Sequence, residues 1–156
     1  MITNLKTSLR QIKESKHFKE WYLKHPESYL TSAFFTNNWQ LDFYCPKDDN
    51  MTSFTKTGKE TSDIFRKEKK EIPELKLEEI EVDIFEAKEI MKKLLKQKYE
   101  EQKPTKEIII LQKIENPTWN ITFITEKFNI LNVKIDAISG KIISEKLESA
   151  LSFQAQ

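Results

Sequence analysis

The 156-residue sequence predicts an α+β protein built twice from one unit, each unit a helix followed by antiparallel strands. Three observations support this prediction. A helical pattern followed by alternating strands occurs twice, and the alternation Trp-x-Leu/Ile-x-Phe recurs at Trp39 and Trp119. The chain also has 2 glycines, Gly58 and Gly140, and each precedes a lysine. Average usage of about 7% would give roughly eleven glycines, so their matched placement indicates an internal repeat.

The first repeat is expected to span residues 1–66. Apolar residues at helical spacing predict a helix from Leu5 to Leu23, and Pro26 disfavours its continuation. Asn37-Asn38 predicts the turn of a hairpin, whose second strand alternates Trp39, Leu41 and Phe43 with polar residues. Four segments rich in strand formers or bounded by turns complete the unit, at 29–35, 39–43, 51–56 and 62–65.

A charged linker is expected at residues 67–79, and the second repeat at 80–156. The second helix should end before Pro104. Its predicted apolar face comprises Val82, Phe85, Ile90, Leu94 and Leu95. Alternating apolar residues then predict strands at 108–114, 119–123 and 131–136.

Landmarks of the two units match in order, with separations that drift from 78 to 80 to 82 residues. The pairs are Pro26 with Pro104, Trp39 with Trp119, and Gly58 with Gly140. Small length changes in two turns account for the drift. A tight hairpin at 138–141 commonly needs a positive φ, which explains glycine at position 140.

The segment Trp119 to Lys141 resembles a PepSY domain, whose closing part has an alternating strand, Asp-Ala-x-Thr-Gly-Lys-Val and a final strand. The matching residues here are Asp136-Ala137-Ile138-Ser139-Gly140-Lys141-Ile142. The resemblance implies a cystatin-like fold, in which one helix crosses a curled antiparallel sheet. It also implies a non-catalytic role, since the family occurs in propeptides and in regulatory or cell-envelope proteins and is thought to restrain peptidases. It carries no catalytic residues over to this chain.

The first copy departs from that pattern, because Phe54-Thr55-Lys56-Thr57-Gly58-Lys59 stands where Asp-Ala would be expected. Its assignment therefore depends on the repeat. The two copies differ most at residues 44–51 and 126–130. We expect any specialised function to lie in these two segments, because the shared residues build the fold.

Composition excludes several classes of protein. The chain has 26 basic and 25 acidic residues, so no overall positive charge would attract nucleic acid. No apolar run is long enough for a membrane helix, and the N-terminus lacks a signal-peptide pattern. We therefore expect a cytoplasmic protein without a nucleic-acid or membrane partner, as a monomer or weak dimer.

Few residues in the sequence are candidates for catalysis or metal binding. His17 and His25 are too far apart in sequence to pair like a zinc helix, and Cys45 is the single cysteine. Asp136 is expected to accept backbone hydrogen bonds in the 138–141 turn rather than to bind a ligand. We expect no metal site, no cofactor and no enzymatic activity.

Three hypotheses follow. The first is a binding module for an unknown protein or peptide, one that restrains a peptidase or binds at a sheet edge. The second is that the protein binds a small hydrophobic ligand on the concave sheet face, although Trp39 and Trp119 are expected to be core residues. The third and weakest is a hydrolase that uses Cys45 with His25 or His17.

Overall fold

A computed structural model describes residues 4–64 and 71–151. Within these ranges the chain forms three α-helices, a short 3-10 helix at Leu77–Glu79 and eight strands. In chain order the helices and strands are α1 (Leu5–Glu14), α2 (Lys16–Lys24), β1 (Tyr29–Phe35), β2 (Trp39–Cys45), β3 (Asn50–Phe54), β4 (Lys59–Asp63), α3 (Ile84–Lys98), β5 (Pro104–Lys113), β6 (Pro117–Thr125), β7 (Asn129–Asp136) and β8 (Ile142–Ser149).

The strands form one antiparallel sheet in the order β4-β3-β2-β1-β5-β6-β7-β8. Each half is a meander, and β1 pairs with β5 to join the halves. Ala33 lies opposite Leu111 at this junction, and Phe35 lies opposite Ile109. The protein therefore has an α+β fold with a single continuous sheet.

Alternation along the strands places the core on one face of the sheet. Helix residues such as Ile12, Phe18 and Met91 belong to the same buried cluster as the inward strand residues. The other face carries polar side chains, among them Asp42, which accepts hydrogen bonds from Ser32, Gln40 and Ser53. The helices thus cover one face only.

The prediction of one continuous helix over residues 5–23 is wrong, because Ser15 divides it into α1 and α2. Ser15 has extended backbone angles, φ −70° and ψ 149°. Its hydroxyl accepts a hydrogen bond from Phe18 N and donates one to the Ile12 carbonyl. A serine that caps a new helix in this way ends the preceding one, and apolar spacing alone does not register the break.

The predicted apolar face of the second helix is correct only in part. Asp83 caps α3 by accepting a hydrogen bond from Glu86 N, so Val82 precedes the helix, although it is buried. The buried positions of α3 are Ile84, Ala87, Met91 and Leu94. Phe85 is 47% exposed, because it lies about 100° around the helix from Ile84.

Part of the predicted charged linker belongs to the core. Leu75 and Leu77 are 2% and 6% exposed, and Leu75 N donates a hydrogen bond to the Leu30 carbonyl. Residues 65–70, which include most of the charge run, lie outside the described residues. The high charge density concealed two buried leucines, one of which attaches the connection to β1 through its backbone.

Strand limits differ modestly from the predictions. β4 covers Lys59–Asp63, where a segment over 62–65 was expected, and Phe65 lies outside the described residues. β5 starts at Pro104, four residues before the predicted start. Its N-terminal end is exposed, so it lacks the apolar residues on which the sequence prediction depended.

Truncating Leu75 tests whether the connection is part of the core. We expect Leu75→Ala to lower the free energy of unfolding by about 2 to 4 kcal/mol, because a buried leucine leaves a cavity. Glu74→Ala is the control, since Glu74 is exposed, and its effect should stay within about 0.5 kcal/mol. Equal, small effects of both variants in urea denaturation would contradict the assignment.

Candidate functional site

Trp39 and Trp119 lie at the centre of the core, as predicted. They are 4% and 1% exposed, and their ring centroids are 6.4 Å apart. The Trp119 Nε1 donates a hydrogen bond of 2.8 Å to the Val82 carbonyl, which leads into α3. These two residues therefore join strand, helix and the opposite half, and neither ring is available for stacking on a ligand.

The proline and glycine landmarks have different roles in the two halves. Pro26 is exposed after α2, whereas Pro104 opens β5. Gly140 has a φ of 78°, as the turn was predicted to require, and a side chain there would meet Ile90 and Val82. Gly58 has open space around it and a φ outside the left-handed region. Only Gly140 is thus required by the backbone.

Asp136 caps the turn between β7 and β8, as predicted. Its Oδ1 accepts hydrogen bonds of 2.8 Å from both Ile138 N and Ser139 N, and its Oδ2 accepts one from Asn116. The hydrogen bond from Ser139 N, followed by that from Asn116, lowers the pKa of Asp136 below its ordinary value. The carboxylate is therefore a turn cap that favours its charged form.

We expect Asp136→Ala to lower the free energy of unfolding by about 1 to 2 kcal/mol at neutral pH, since three hydrogen bonds to a carboxylate are lost. A depressed folded-state pKa stabilises the protein above about pH 4, and this contribution disappears as pH falls through the lowered value. The variant should therefore be less sensitive to acid. Urea denaturation at pH 3 and pH 7 measures both effects.

The exposed Asp63 at the end of β4 provides the control for that comparison. Asp63→Ala should retain the acid dependence of the unaltered chain. If Asp136→Ala has the same stability difference between pH 3 and pH 7 as the control, the capping role is wrong.

The structure separates the two histidines and places one of them beside the cysteine. The Nε2 of His17 lies 3.1 Å from the Thr55 carbonyl, and its ring stacks on Phe54. A ring nitrogen of His25 lies within 4.8 Å of Cys45 Sγ. Sequence spacing gave no sign of this proximity, because the two residues belong to different elements.

The sheet face beneath the helices, which was expected to be concave, is filled with side chains. Leu41, Phe54, Leu111, Ile121 and Val133 are each fully buried on the strands of this face. Together with the two central tryptophans they occupy the space in which a hydrophobic ligand was expected. The interior of the described residues therefore offers little room for that hypothesis.

An open groove lies between α3 and the start of β5. Its volume is about 750 Å³. Phe85, Leu95 and Phe123 supply apolar surface, while Lys88 and Glu107 form an ion pair of 3.1 Å at its rim. The groove is thus an apolar surface with a charged border.

The two edge strands of the sheet differ in whether they carry exposed apolar side chains. β4 has the sequence Lys-Glu-Thr-Ser-Asp and is exposed throughout, which protects an edge against pairing with other chains. β8 carries Ile143, 56% exposed, and Leu147, 39% exposed. Leu151, just after β8, and Phe128, in the neighbouring turn, are 64% and 65% exposed. We name these four residues, with the backbone of β8, the β8 edge.

Phe128 has an unusual backbone conformation. It adopts a φ of 59°, a region that bulky residues rarely occupy. Its carbonyl accepts a hydrogen bond of 2.7 Å from Ala150 N, so the turn is fixed beside the end of β8. The strained backbone of Phe128 and the exposure of its ring both cost stability. Backbone strain of this kind is typical of functional positions.

β8 is held to the helix by a carboxylate. Glu145 Oε1 accepts hydrogen bonds of 2.9 Å from Lys98 Nζ and from Tyr99 Oη. The hydrogen bond from Lys98, then that from Tyr99, lowers the pKa of Glu145. These hydrogen bonds attach β8 to the C-terminal end of α3. The backbone groups of β8 that point away from β7 lie at the end of the sheet.

The two segments in which the copies differ form equivalent turns, between β2 and β3 and between β6 and β7. Asp49 in the first turn has a φ of 49°, and Phe128 occupies the second. These are the non-glycine residues with positive φ among those described. The two segments in which the repeats differ most are thus also turns with strained backbone.

Comparison with known proteins shows similarity of fold. No family model matches the sequence, and no curated protein matches it. A solved structure of a candidate lipoprotein from Clostridium difficile 630 is similar, with a TM-score of 0.56 and 16% identity. The match covers 83% of this chain and 89% of that chain. At this identity it shows a shared fold alone.

In the part of the chain that the structure describes, each helix is too short or too polar to cross a lipid bilayer.

Proposed function

We propose that the protein is a tandem pair of PepSY-like, cystatin-like units that binds an extended segment of a protein partner along the β8 edge. The order of elements supports the tandem assignment, because each half has helical structure followed by a four-stranded meander. Trp39 and Trp119 lie at or near the start of the second strand of each meander, and Gly58 and Gly140 precede the fourth. The resemblance of residues 119–141 to PepSY domains supports the family.

The observation that carries the binding proposal is the contrast between the two edges. β8 presents backbone donors and acceptors at the end of the sheet beside exposed Ile143 and Leu147, whereas β4 is polar throughout. Strand addition uses backbone hydrogen bonds for affinity and alternate side chains for specificity. Exposed apolar side chains on an edge strand favour pairing with another chain, which suits a binding role.

The charges on β8 indicate what the partner presents. Glu145 is paired with Lys98, and Glu148 is paired with Lys146 at 2.5 Å. Because these groups already have partners, recognition depends on apolar side chains that contact Phe128, Ile143 and Leu147. The proposed ligand is therefore an extended, apolar polypeptide segment, such as one belonging to a peptidase that this protein restrains.

The open groove favours a second candidate function. Its apolar surface, formed by Phe85, Leu95 and Phe123, would suit a small hydrophobic ligand on the outside of the fold. The filled interior moves this hypothesis away from the concave face where the sequence placed it.

Selection from a displayed random-peptide library tests the primary proposal. Peptides that bind the unaltered chain are expected to be rich in apolar residues and to bind at least tenfold more weakly to Ile143→Lys and to Phe128→Asn. Asparagine tolerates positive φ, so the second change removes the ring without adding strain. Titration calorimetry measures the dissociation constants.

Thr61→Lys on β4 is the matched control, since it places the same charge on the opposite edge and should leave affinity unchanged. Phe85→Ser reports on the groove. If the selection yields no peptide, or only peptides insensitive to both β8 variants, the proposed site is wrong. Sensitivity to Phe85→Ser alone would favour the second candidate.

The remaining expectations stay predictions. They are the absence of enzymatic activity, the lack of nucleic-acid and membrane partners, a cytoplasmic location and a monomeric or weakly dimeric state. Pairing of two β8 edges is the contact through which a weak dimer would form.

A further inference from the structure

Three side chains of residue types that commonly bind metals lie together at one corner of the first half, away from the β8 edge. His25 caps the end of α2, Cys45 ends β2 and Asp48 lies in the following turn. One ligand atom of each lies within 4.8 Å of the other two. The sequence did not indicate this cluster, because the chain folds back between His25 and Cys45.

Two of the three separations are close to those of a tetrahedral site. His25 Nε2 lies 3.4 Å from Asp48 Oδ2, and Cys45 Sγ lies 3.8 Å from the same oxygen. Bonds of about 2.0 to 2.3 Å at tetrahedral angles place such ligand atoms about 3.4 to 3.6 Å apart. The third separation, between the His25 ring nitrogen and Cys45 Sγ, is below 4.8 Å, so movement of the exposed turn and of these side chains would be needed to complete the geometry.

The imidazole is already oriented for coordination. His25 Nδ1 lies 2.9 Å from the Trp21 carbonyl, and the ring stacks on Trp21 with centroids 4.9 Å apart. A hydrogen bond to a carbonyl requires a proton on Nδ1, which leaves the lone pair on Nε2 in the neutral ring. Metal-binding histidines commonly have such a backbone partner.

The same geometry disfavours a cysteine nucleophile. In a catalytic triad the carboxylate binds one imidazole nitrogen and the nucleophile binds the other. Here Asp48 faces Nε2, and Nδ1 is engaged by the Trp21 carbonyl. The Asp48 carboxylate therefore faces the ring nitrogen of His25 that would have to accept the proton from Cys45.

We propose that His25, Cys45 and Asp48 form a zinc(II) site with three protein ligands and one open position. Sulfur and imidazole ligands suit zinc, whereas calcium and magnesium require oxygen. A hollow of about 300 Å³ is lined by His25 and Cys45, so a water or an external ligand can reach the fourth position.

The surroundings of the site carry charges of both signs. Lys24 and Lys47 line the hollow and oppose a cation, while Glu27 lines it and favours one. With both Cys45 and Asp48 ionised, the ligands themselves supply two negative charges. The bound ion would join α2 to the turn between β2 and β3, and so stabilise the first half.

Zinc and cobalt(II) binding to the full chain, without a histidine tag and with the thiol reduced, tests the site. Zinc at a hundredfold excess over its dissociation constant should raise the melting temperature by about 5 to 10 °C. Cobalt(II) should give a thiolate charge-transfer band. Asp48→Asn should weaken zinc binding at least tenfold, and Cys45→Ser should abolish the band.

His17→Gln is the matched control, because it removes the other histidine and should leave zinc affinity unchanged. Asp48 lies in an exposed turn, so circular dichroism should show Asp48→Asn folded. The proposal is overturned if zinc leaves the melting temperature unchanged, or if the cobalt band persists in Cys45→Ser. Equal loss of affinity in His17→Gln would also refute it.

Discussion

Strands β1 and β5 pair at the centre of the sheet and so hold two meanders in one register. β2 and β6 flank this pair and are three strand spacings apart, about 14 Å. Their tryptophans, Trp39 and Trp119, nevertheless approach to 6.4 Å because both rings extend over the central strands. Ala33 on β1 is fully buried, and the strand register places it in line with Leu111 and Trp119. The two halves therefore share one core.

That shared core explains how each half presents its distinctive features. Because β1 and β5 are interior strands, β4 and β8 are the edges of the described sheet; β4 is polar throughout, whereas β8 carries exposed apolar residues among charged ones. The helices cover the face that bears the tryptophans, so the turns after β2 and β6 remain accessible. The proposed metal site and the proposed peptide edge lie at or beside these turns.

Much of the fold could be predicted from local sequence. The alternation around Trp39 and Trp119 identified two inward strand faces, and the Asp136 to Gly140 turn was predicted with its hydrogen bonds. The break at Ser15 was missed because a capping hydroxyl interrupts a helix without disturbing apolar spacing. Leu75 was missed because its charged neighbours dominate the composition. The exposure of Phe85 shows that apolar spacing leaves one residue of ambiguity in the buried face.

The candidate sites were less accessible to such reasoning. The proximity of His25 and Cys45 depends on how α2 meets the end of β2, and no local sequence pattern encodes that distance. The differing segments 44–51 and 126–130 did give a signal, since they contain Asp48 and Phe128. Comparison of the two repeats could not predict the chemistry of each turn, because that chemistry depends on the neighbouring strands and helices.

Native-state hydrogen exchange at increasing urea concentrations tests most directly whether the β1–β5 junction makes the two halves one cooperative unit. The account predicts that amides of β1 and β5 exchange only through global unfolding, with the same opening free energy as those of β2 and β6. Faster exchange across β1 and β5, with each half retaining its own protection, would contradict it.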